Sequence, residues 1–85
     1  MPSNTNPKLD IGLAVRQKMS EQGASIAWLA RKVNIDRGNL YKQLQNIHIY
    51  PELLLRISKT LKTDFFILYS EYLRQNFENE QINKT

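Results

Sequence analysis

The chain has 85 residues, contains no cysteine and carries a formal net charge of +4 at pH 7. This length is enough for one domain with a small core, and the lack of cysteine excludes disulfides, thiol chemistry and cysteine-ligated zinc. Residues 8–62 hold ten Lys or Arg against four Asp or Glu, whereas residues 63–85 hold two against four. A basic body suits a polyanionic partner, and a solvated Lys/Arg surface explains the charge equally well.

Residues 1–7 are rich in Asn, Pro and Ser and show no periodicity, which predicts a disordered N-terminal arm. This segment has neither the charged region nor the apolar region of a signal peptide. No run of about 18 apolar residues occurs in the sequence, so no membrane span is predicted. We therefore expect a cytoplasmic protein that does not associate with membranes.

Helical spacing begins near Leu9 and defines the domain, which we expect to extend over residues 8–77. Ile11, Val15 and Met19 recur at four-residue steps, the spacing of one buried helix face. Gly23 follows and suits the left-handed residue that ends many helices. These residues predict the first helix.

The second predicted helix covers residues 26–33 and begins after Ser25, whose hydroxyl is a good N-cap. Asn34 follows where the chain must turn, and after Gly it is the residue that best tolerates the left-handed region. Ile35 comes next, and its apolar side chain is expected to pack inward at the turn. Asp36 can cap the following helix. The inward face of the second helix is formed by Leu29, Ala30 and Val33.

The third helix is predicted over residues 37–45, with Leu40 and Leu44 pointing inward. Residues 46–50 form a loop, and Pro51 then occupies the first position of a fourth helix, where its missing N–H costs nothing. Arg56, Lys59 and Lys62 are expected to point outward from this helix. Its buried stripe is expected to consist of Leu53, Leu54, Ile57 and Leu61.

A fifth helix is predicted after Thr63 and Asp64, which can cap it. Glu78 to Thr85 is expected to form a flexible polar tail. The apolar residues assigned to the fifth helix are Phe65, Phe66, Leu68, Tyr69, Tyr72 and Leu73. At least half of this apolar surface is needed for the domain core, and Tyr69, Tyr72 and Leu73 are candidates for a dimer interface.

Two short helices joined by a tight turn have the spacing of a helix-turn-helix. Ala30 is small, as expected where the third helix crosses close to the second. Inward packing of the apolar residues leaves a polar outer face on the third helix, formed by Arg37, Gly38, Tyr41 and Lys42. A recognition helix places this face in the major groove of DNA.

Four groups of residues occur along the chain in the order and spacing of one sequence pattern. They are Trp28-Leu29-Ala30, Arg37-Gly38-Asn39-Leu40-Tyr41-Lys42, Leu54-Leu55-Arg56-Ile57-Ser58, and Asp64-Phe65-Phe66 with Tyr69-Ser70. Over residues 9–69 the chain resembles the Cro/C1-type (XRE-type, lambda-repressor-like) helix-turn-helix regulators of bacteria and phage, and in particular a small single-domain bacterial subgroup. The resemblance implies an all-α, compact bundle of five helices. It also implies binding to operator double-stranded DNA, usually as a homodimer.

By this resemblance, Arg37, Gly38 and Lys42 match base-contacting positions, with Asn39 and Tyr41 beside them. An Arg at such a position can donate two parallel hydrogen bonds to O6 and N7 of guanine. Lys42 can reach a base or a phosphate. Ser25, Lys32 and Gln43 complete the predicted DNA-binding set, with Ser25 and Lys32 on the phosphate backbone.

The chain departs from the family pattern at three places. Ile26 occupies a position that is often polar and binds phosphate in the family. Gln43 replaces a residue that is usually apolar, so it either turns outward toward DNA or needs a buried partner. The glycine-bearing turn after the third helix is replaced by residues 46–49.

Three aromatic or imidazole side chains have alternative interpretations. Trp28 is expected to be partly buried between the second and fourth helices, the alternative being an exposed anchor for a partner. His48 has no second histidine and no carboxylate cluster nearby in sequence, so we expect a loop histidine and no metal site. Tyr50 can either contact the DNA backbone or pack within the domain.

The sequence contains no nucleophile–base pair and no glycine-rich phosphate loop, so we expect no catalytic residue, no cofactor and no small-molecule ligand. The leading interpretation is a small transcriptional regulator that acts as a repressor-like DNA-binding protein. The alternative is a protein-interaction module, such as an antitoxin-like or accessory subunit, that acts through its apolar C-terminal helix.

Overall fold

The computed structural model describes the backbone of residues 9–84 and the side chains of residues 9–77. The predicted arm at residues 1–7 lies outside the described residues. The fold is all-α, as predicted, and the described part of the chain contains no strand. The helices are α1 (Ile11–Gln22), α2 (Ile26–Val33), α3 (Arg37–Gln43), α4 (Pro51–Leu61) and α5 (Ile67–Lys84).

The first three helices begin at side-chain caps. The side-chain oxygens of Asp10, Ser25 and Asp36 each accept a hydrogen bond at 3.0 Å from the amide three residues further along. These caps satisfy amides that lack a partner within the helix. Gly23 and Asn34 end α1 and α2 in the left-handed conformation, with φ angles of 70° and 64°. The predicted bounds of α2 are therefore confirmed at both ends.

One apolar core holds the helices together. It contains no buried charged or polar side chain among the described residues, and each fully buried Leu or Ile contributes about 1.5–3 kcal/mol of transfer free energy. The four predicted inward residues of α4 are all buried, which confirms that stripe. The buried residues are Ile11, Val15, Met19, Leu29, Ala30, Val33, Leu40, Leu44, Ile49, Leu53, Leu54, Ile57, Leu61 and Phe65.

The third helix is shorter than predicted and ends at Gln43 instead of residue 45. The reason is a tertiary contact with α1. The carbonyl oxygen of Leu44 accepts from Nε of Arg16 at 3.0 Å, and the carbonyl of Asn46 accepts from the amide of Gly12 at 3.1 Å. The Ile47 carbonyl accepts from the amide of Ile11 at 2.7 Å. These bonds hold the chain after α3 in a loop against the start of α1.

The fifth helix also differs from its predicted bounds. It starts at Ile67, so Phe65 and Phe66 lie in the preceding turn, where the Asp64 carboxylate accepts from the Phe66 amide at 2.9 Å. Phe65 is buried and fills the core from this turn. At its other end α5 continues to Lys84, although the sequence predicted a flexible tail over 78–85. Glu, Gln and Lys are good helix formers, so a polar composition there does not end the helix.

None of the helices in the described range combines the length and the apolar character that crossing a membrane requires.

Gly12 is the residue through which α1 approaches the loop after α3. A Cβ atom at this position would overlap the carbonyl oxygens of Leu44 and Asn46. Both are backbone atoms, which cannot move aside as a flexible side chain can. Only glycine therefore fits at this crossing.

We expect Gly12→Ala to lower the free energy of unfolding by about 1–3 kcal/mol, because the added methyl group overpacks a backbone contact. Urea unfolding followed by circular dichroism measures this loss. The matched variant is Gly23→Ala, which meets no atom within 4 Å and bears only the cost of its positive φ angle, about 1–2 kcal/mol. A Gly12→Ala protein as stable as the parent would contradict the close approach of α1 to the loop.

Candidate nucleic-acid interface

The helices α2 and α3 form one packed unit around the turn at residues 34–36. The amide of Ile35 donates to the Ala30 carbonyl at 3.1 Å, and the amide of Asn34 donates to the Arg31 carbonyl at 3.3 Å. Leu29, Ala30 and Leu40 are all buried, so the two helices meet through small and aliphatic side chains. The bounds of α2 and the turn at Asn34 match the predicted helix-turn-helix, whereas α3 is two residues shorter than predicted.

Arg56 on α4 forms a hydrogen bond to the C-terminal end of α2. Its Nη1 donates to the carbonyl of Val33 at 3.1 Å, and its Nη2 pairs with the carboxylate of Glu52 at 2.9 Å. Carbonyls in the last turn of a helix have no partner within that helix, so this bond satisfies one of them. The sequence predicted only that Arg56 points outward, and the bond to Val33 gives it a structural role.

The outer side of α3 presents most of the predicted DNA-binding residues together. Arg37, Gly38, Asn39, Tyr41 and Lys42 are all exposed on this seven-residue helix. The Tyr41 side chain is among them, with 58% of its surface exposed. Within the described residues, neither Arg37 nor Lys42 forms an ion pair, so both charges face solvent.

Three predicted residues lie apart from this group. Ser25 caps α2, and Lys32 places its Nζ 5.9 Å from the centre of the Trp28 ring, a cation–π contact. Gln43 is half-buried, so it does not share the open exposure of Tyr41 and Lys42. Trp28 itself is half-buried and packs against the core, which agrees with partial burial and not with an exposed anchor.

An open groove of about 250 Å³ runs beside α3. Ile26 from α2 and Tyr41 from α3 line it, together with Arg16 of α1 and Gln45 of the loop after α3. Sequence reasoning missed Arg16 and Gln45. The periodicity of α1 shows only that Arg16 is not a core position, and its bond to Leu44 spans 28 residues. A local pattern carries no signal for such a contact.

The surface around α2 and α3 is basic. From Ala24 to Tyr50 the sequence holds a single acidic residue, Asp36, and its carboxylate accepts a hydrogen bond from the Asn39 amide. Arg31, Lys32, Arg37 and Lys42 fall in the same segment. The field near α3 is therefore positive and favours an anion.

A second structural pair joins the loop after α3 to α5. The rings of His48 and Tyr69 stack with centroids 5.7 Å apart, and Nδ1 of His48 lies 2.9 Å from the Tyr69 hydroxyl oxygen. Burial raises the pKa of the Tyr69 hydroxyl. Tyr69, a candidate for the dimer interface, is therefore half-buried and bonded within its own chain. Tyr72 and Leu73 are exposed.

The described residues contain no group of three His, Cys, Asp or Glu side chains arranged to hold a metal ion. His48 instead stacks on Tyr69. Tyr50, for which DNA contact and packing were both open, is 48% exposed and forms one wall of an apolar groove with Phe66 and Tyr69.

No family model, curated protein or solved structure matches this chain. The resemblance to Cro/C1-type regulators therefore stays a prediction from the residues themselves.

We expect Asn34→Ala to lower the free energy of unfolding by about 1–2 kcal/mol, because alanine tolerates the left-handed conformation poorly. The matched variant Asn34→Gly adopts the same φ of 64° without that cost and should unfold near the parent. Thermal unfolding of the three proteins makes the comparison. Equal stability of the Ala and Gly variants would contradict the left-handed turn between α2 and α3.

Proposed function

We propose that this protein is a small, non-enzymatic transcriptional regulator of the Cro/C1 type that binds a specific sequence of double-stranded DNA. The observation that carries the proposal is the outer face of α3, which presents Arg37, Tyr41 and Lys42 to solvent. The helix packs against α2, and α2 is in turn bonded to α4 through Arg56. An α-helix presented in this way fits the major groove of B-DNA. A regulator of bacterial genes would act in the cytoplasm.

Base recognition is assigned to the first turns of α3. Arg37 is free to place its guanidinium against O6 and N7 of a guanine, a contact that discriminates among bases by about 1–3 kcal/mol. Gly38 has no side chain, which allows the helix backbone to approach the DNA closely. Asn39, Tyr41 and Lys42 are suited to flanking bases or phosphates.

Phosphate contacts are assigned to Ser25 and Lys32. The Ser25 hydroxyl accepts from the Trp28 amide, so its own hydrogen can donate to a phosphate oxygen. Lys32 carries its charge over the Trp28 ring, where the indole restricts it without neutralising it. Gln43 is half-buried and is left out of the base-reading set.

We further propose a homodimer formed through α5. Leu73 and Phe77 are 52% and 55% exposed and stand four residues apart, which places them on one side of the helix. Tyr72 adds exposed aromatic surface next to them. Two copies joined in this way would read two half-sites about 34 Å apart. Tyr69 is excluded from this interface because it is already paired with His48.

The same exposed residues of α5 support a second candidate function. A protein-interaction module, such as an antitoxin-like subunit, would use Leu73 and Phe77 to bind a different protein. The outer face of α3 would then have no ligand. Binding to DNA and binding to a partner protein are separable by experiment.

Selection from random double-stranded DNA should enrich one motif, and the affinity for that motif should fall with salt at a slope of about −0.9 per phosphate contacted. Arg37→Ala should relax the preference at one base position, because its pair of hydrogen bonds is lost. Lys32→Ala should weaken binding to all sequences alike and make the salt slope shallower by about one.

Lys59→Ala is the matched control, because it removes the same charge from an exposed position on α4. Its salt slope and sequence preference should equal those of the parent. An Arg37→Ala protein that selects the same motif with the same stringency would refute the assignment of base reading to α3. Failure to retard any DNA at low salt, together with recovery of a stable hetero-complex, would favour the interaction module.

Leu73→Glu should convert the dimer into a monomer, because a carboxylate would be buried at the interface without a partner. Analytical ultracentrifugation over a range of protein concentrations measures the association. Gln75→Glu adds the same charge two residues away and should leave association unchanged. A parent protein that stays monomeric at every concentration would contradict the α5 interface.

A further inference from the structure

We infer that the groove beside α3 receives the 5-methyl group of a thymine, and that Ile26 and Tyr41 together determine specificity at that base. This inference rests on the proposed function, since it concerns the same DNA-binding surface. It gives a role to Ile26, which occupies a position that is often polar and binds phosphate in the family that the chain resembles.

The floor of the groove is apolar. Met19 and Leu44 belong to the buried core and close the groove from below, with 7% and 1% of their surfaces exposed. Ile26 from α2 is half-buried and Tyr41 from α3 is exposed, and both side chains line the groove. A hydrocarbon group that enters between Ile26 and Tyr41 would therefore meet carbon on several sides.

The charge around the groove suits a polyanion. No acidic side chain lines it, and Arg16 lies at its edge with Nε fixed to the carbonyl of Leu44. The guanidinium of Arg16 keeps its positive charge while it makes this bond, and Lys42 follows Tyr41 on the outer side of α3. A DNA strand can thus approach the groove without electrostatic repulsion.

The chemistry of the major groove supplies one apolar group that distinguishes bases. Thymine presents a C5-methyl group beside its O4 acceptor, whereas cytosine presents a C–H at the same position. The Ile26 side chain has no atom that can bind a phosphate, so its stable contact with DNA is an apolar one. Removal of both apolar surfaces from water stabilises such a contact.

Two other grooves fit DNA less well. The groove between α1 and α5 has Asp10 and Glu71 in its lining, and both would repel a phosphate backbone. The groove lined by Tyr50, Phe66 and Tyr69 is apolar, but no residue of α3 lines it. Neither of these two shares a residue with the predicted base-reading face, whereas the groove at Ile26 and Tyr41 shares Tyr41 with it.

The test uses the full chain and the motif selected from random DNA. Each thymine of the motif is replaced in turn by deoxyuridine, which lacks only the methyl group, and affinities are compared by titration. We expect one position in each half-site to lose about four-fold in affinity, the effect of exposing one methyl group that was buried. The remaining thymines should tolerate the replacement within about two-fold.

Ile26→Gln should bind the thymine and uracil forms of that position equally, because the apolar wall is lost. Tyr41→Ala removes an apolar side chain of the groove at an exposed position, so it provides the same comparison without disturbing the core. Leu55→Gln is the matched control, since Leu55 is 53% exposed on α4 and does not line the groove. It should keep the preference for thymine.

Two results would overturn the inference and leave the proposed function intact. The first is that no single uracil replacement in the selected motif weakens binding. The second is a preference for thymine that survives unchanged in both Ile26→Gln and Tyr41→Ala. If no motif is enriched from random DNA, the proposed function fails, and the inference is refuted with it.

Discussion

The close packing of α2 against α3 is the contact on which the proposed site depends. Ala30 is buried at this crossing, and its carbonyl accepts from the amide of Ile35 at the turn. A larger side chain at Ala30 would push α3 outward and change the direction of its outer face. Because protein interiors are packed at crystal-like density, such a shift cannot be absorbed locally. The orientation of Arg37 and Lys42 is therefore set by a residue that would not touch a ligand.

Stability and recognition use different chemical groups in this molecule. The core buries no charged or polar side chain among the described residues, and the two ion pairs described there, Lys18–Glu21 and Arg56–Glu52, lie at the surface with none of the four side chains buried. Exposed pairs contribute about 0–1 kcal/mol. The charges on α3 are in neither pair, so their removal should leave the structure intact.

The parts of the fold that could be predicted are those set by local signals. Ser25 and Asn34 define α2 to the residue, because a cap and a left-handed turn act within a few positions. The end of α3 was predicted two residues too late, since Leu44 and Asn46 turn their carbonyls to α1. The exposed residues of α3 followed from helical spacing, but the groove did not, because it joins residues from three helices.

The contacts between α1 and the loop after α3 also affect the order in which the chain folds. The turn between α2 and α3 closes over a few residues, whereas Arg16 and Leu44 are 28 residues apart. Contacts between distant residues form more slowly than local ones, because more chain entropy is lost in closing the loop. The loop after α3 therefore reaches its final position only when α1 has docked. The N-terminal helix α1 is thus needed to complete the groove beside α3, although α3 lies in the middle of the chain.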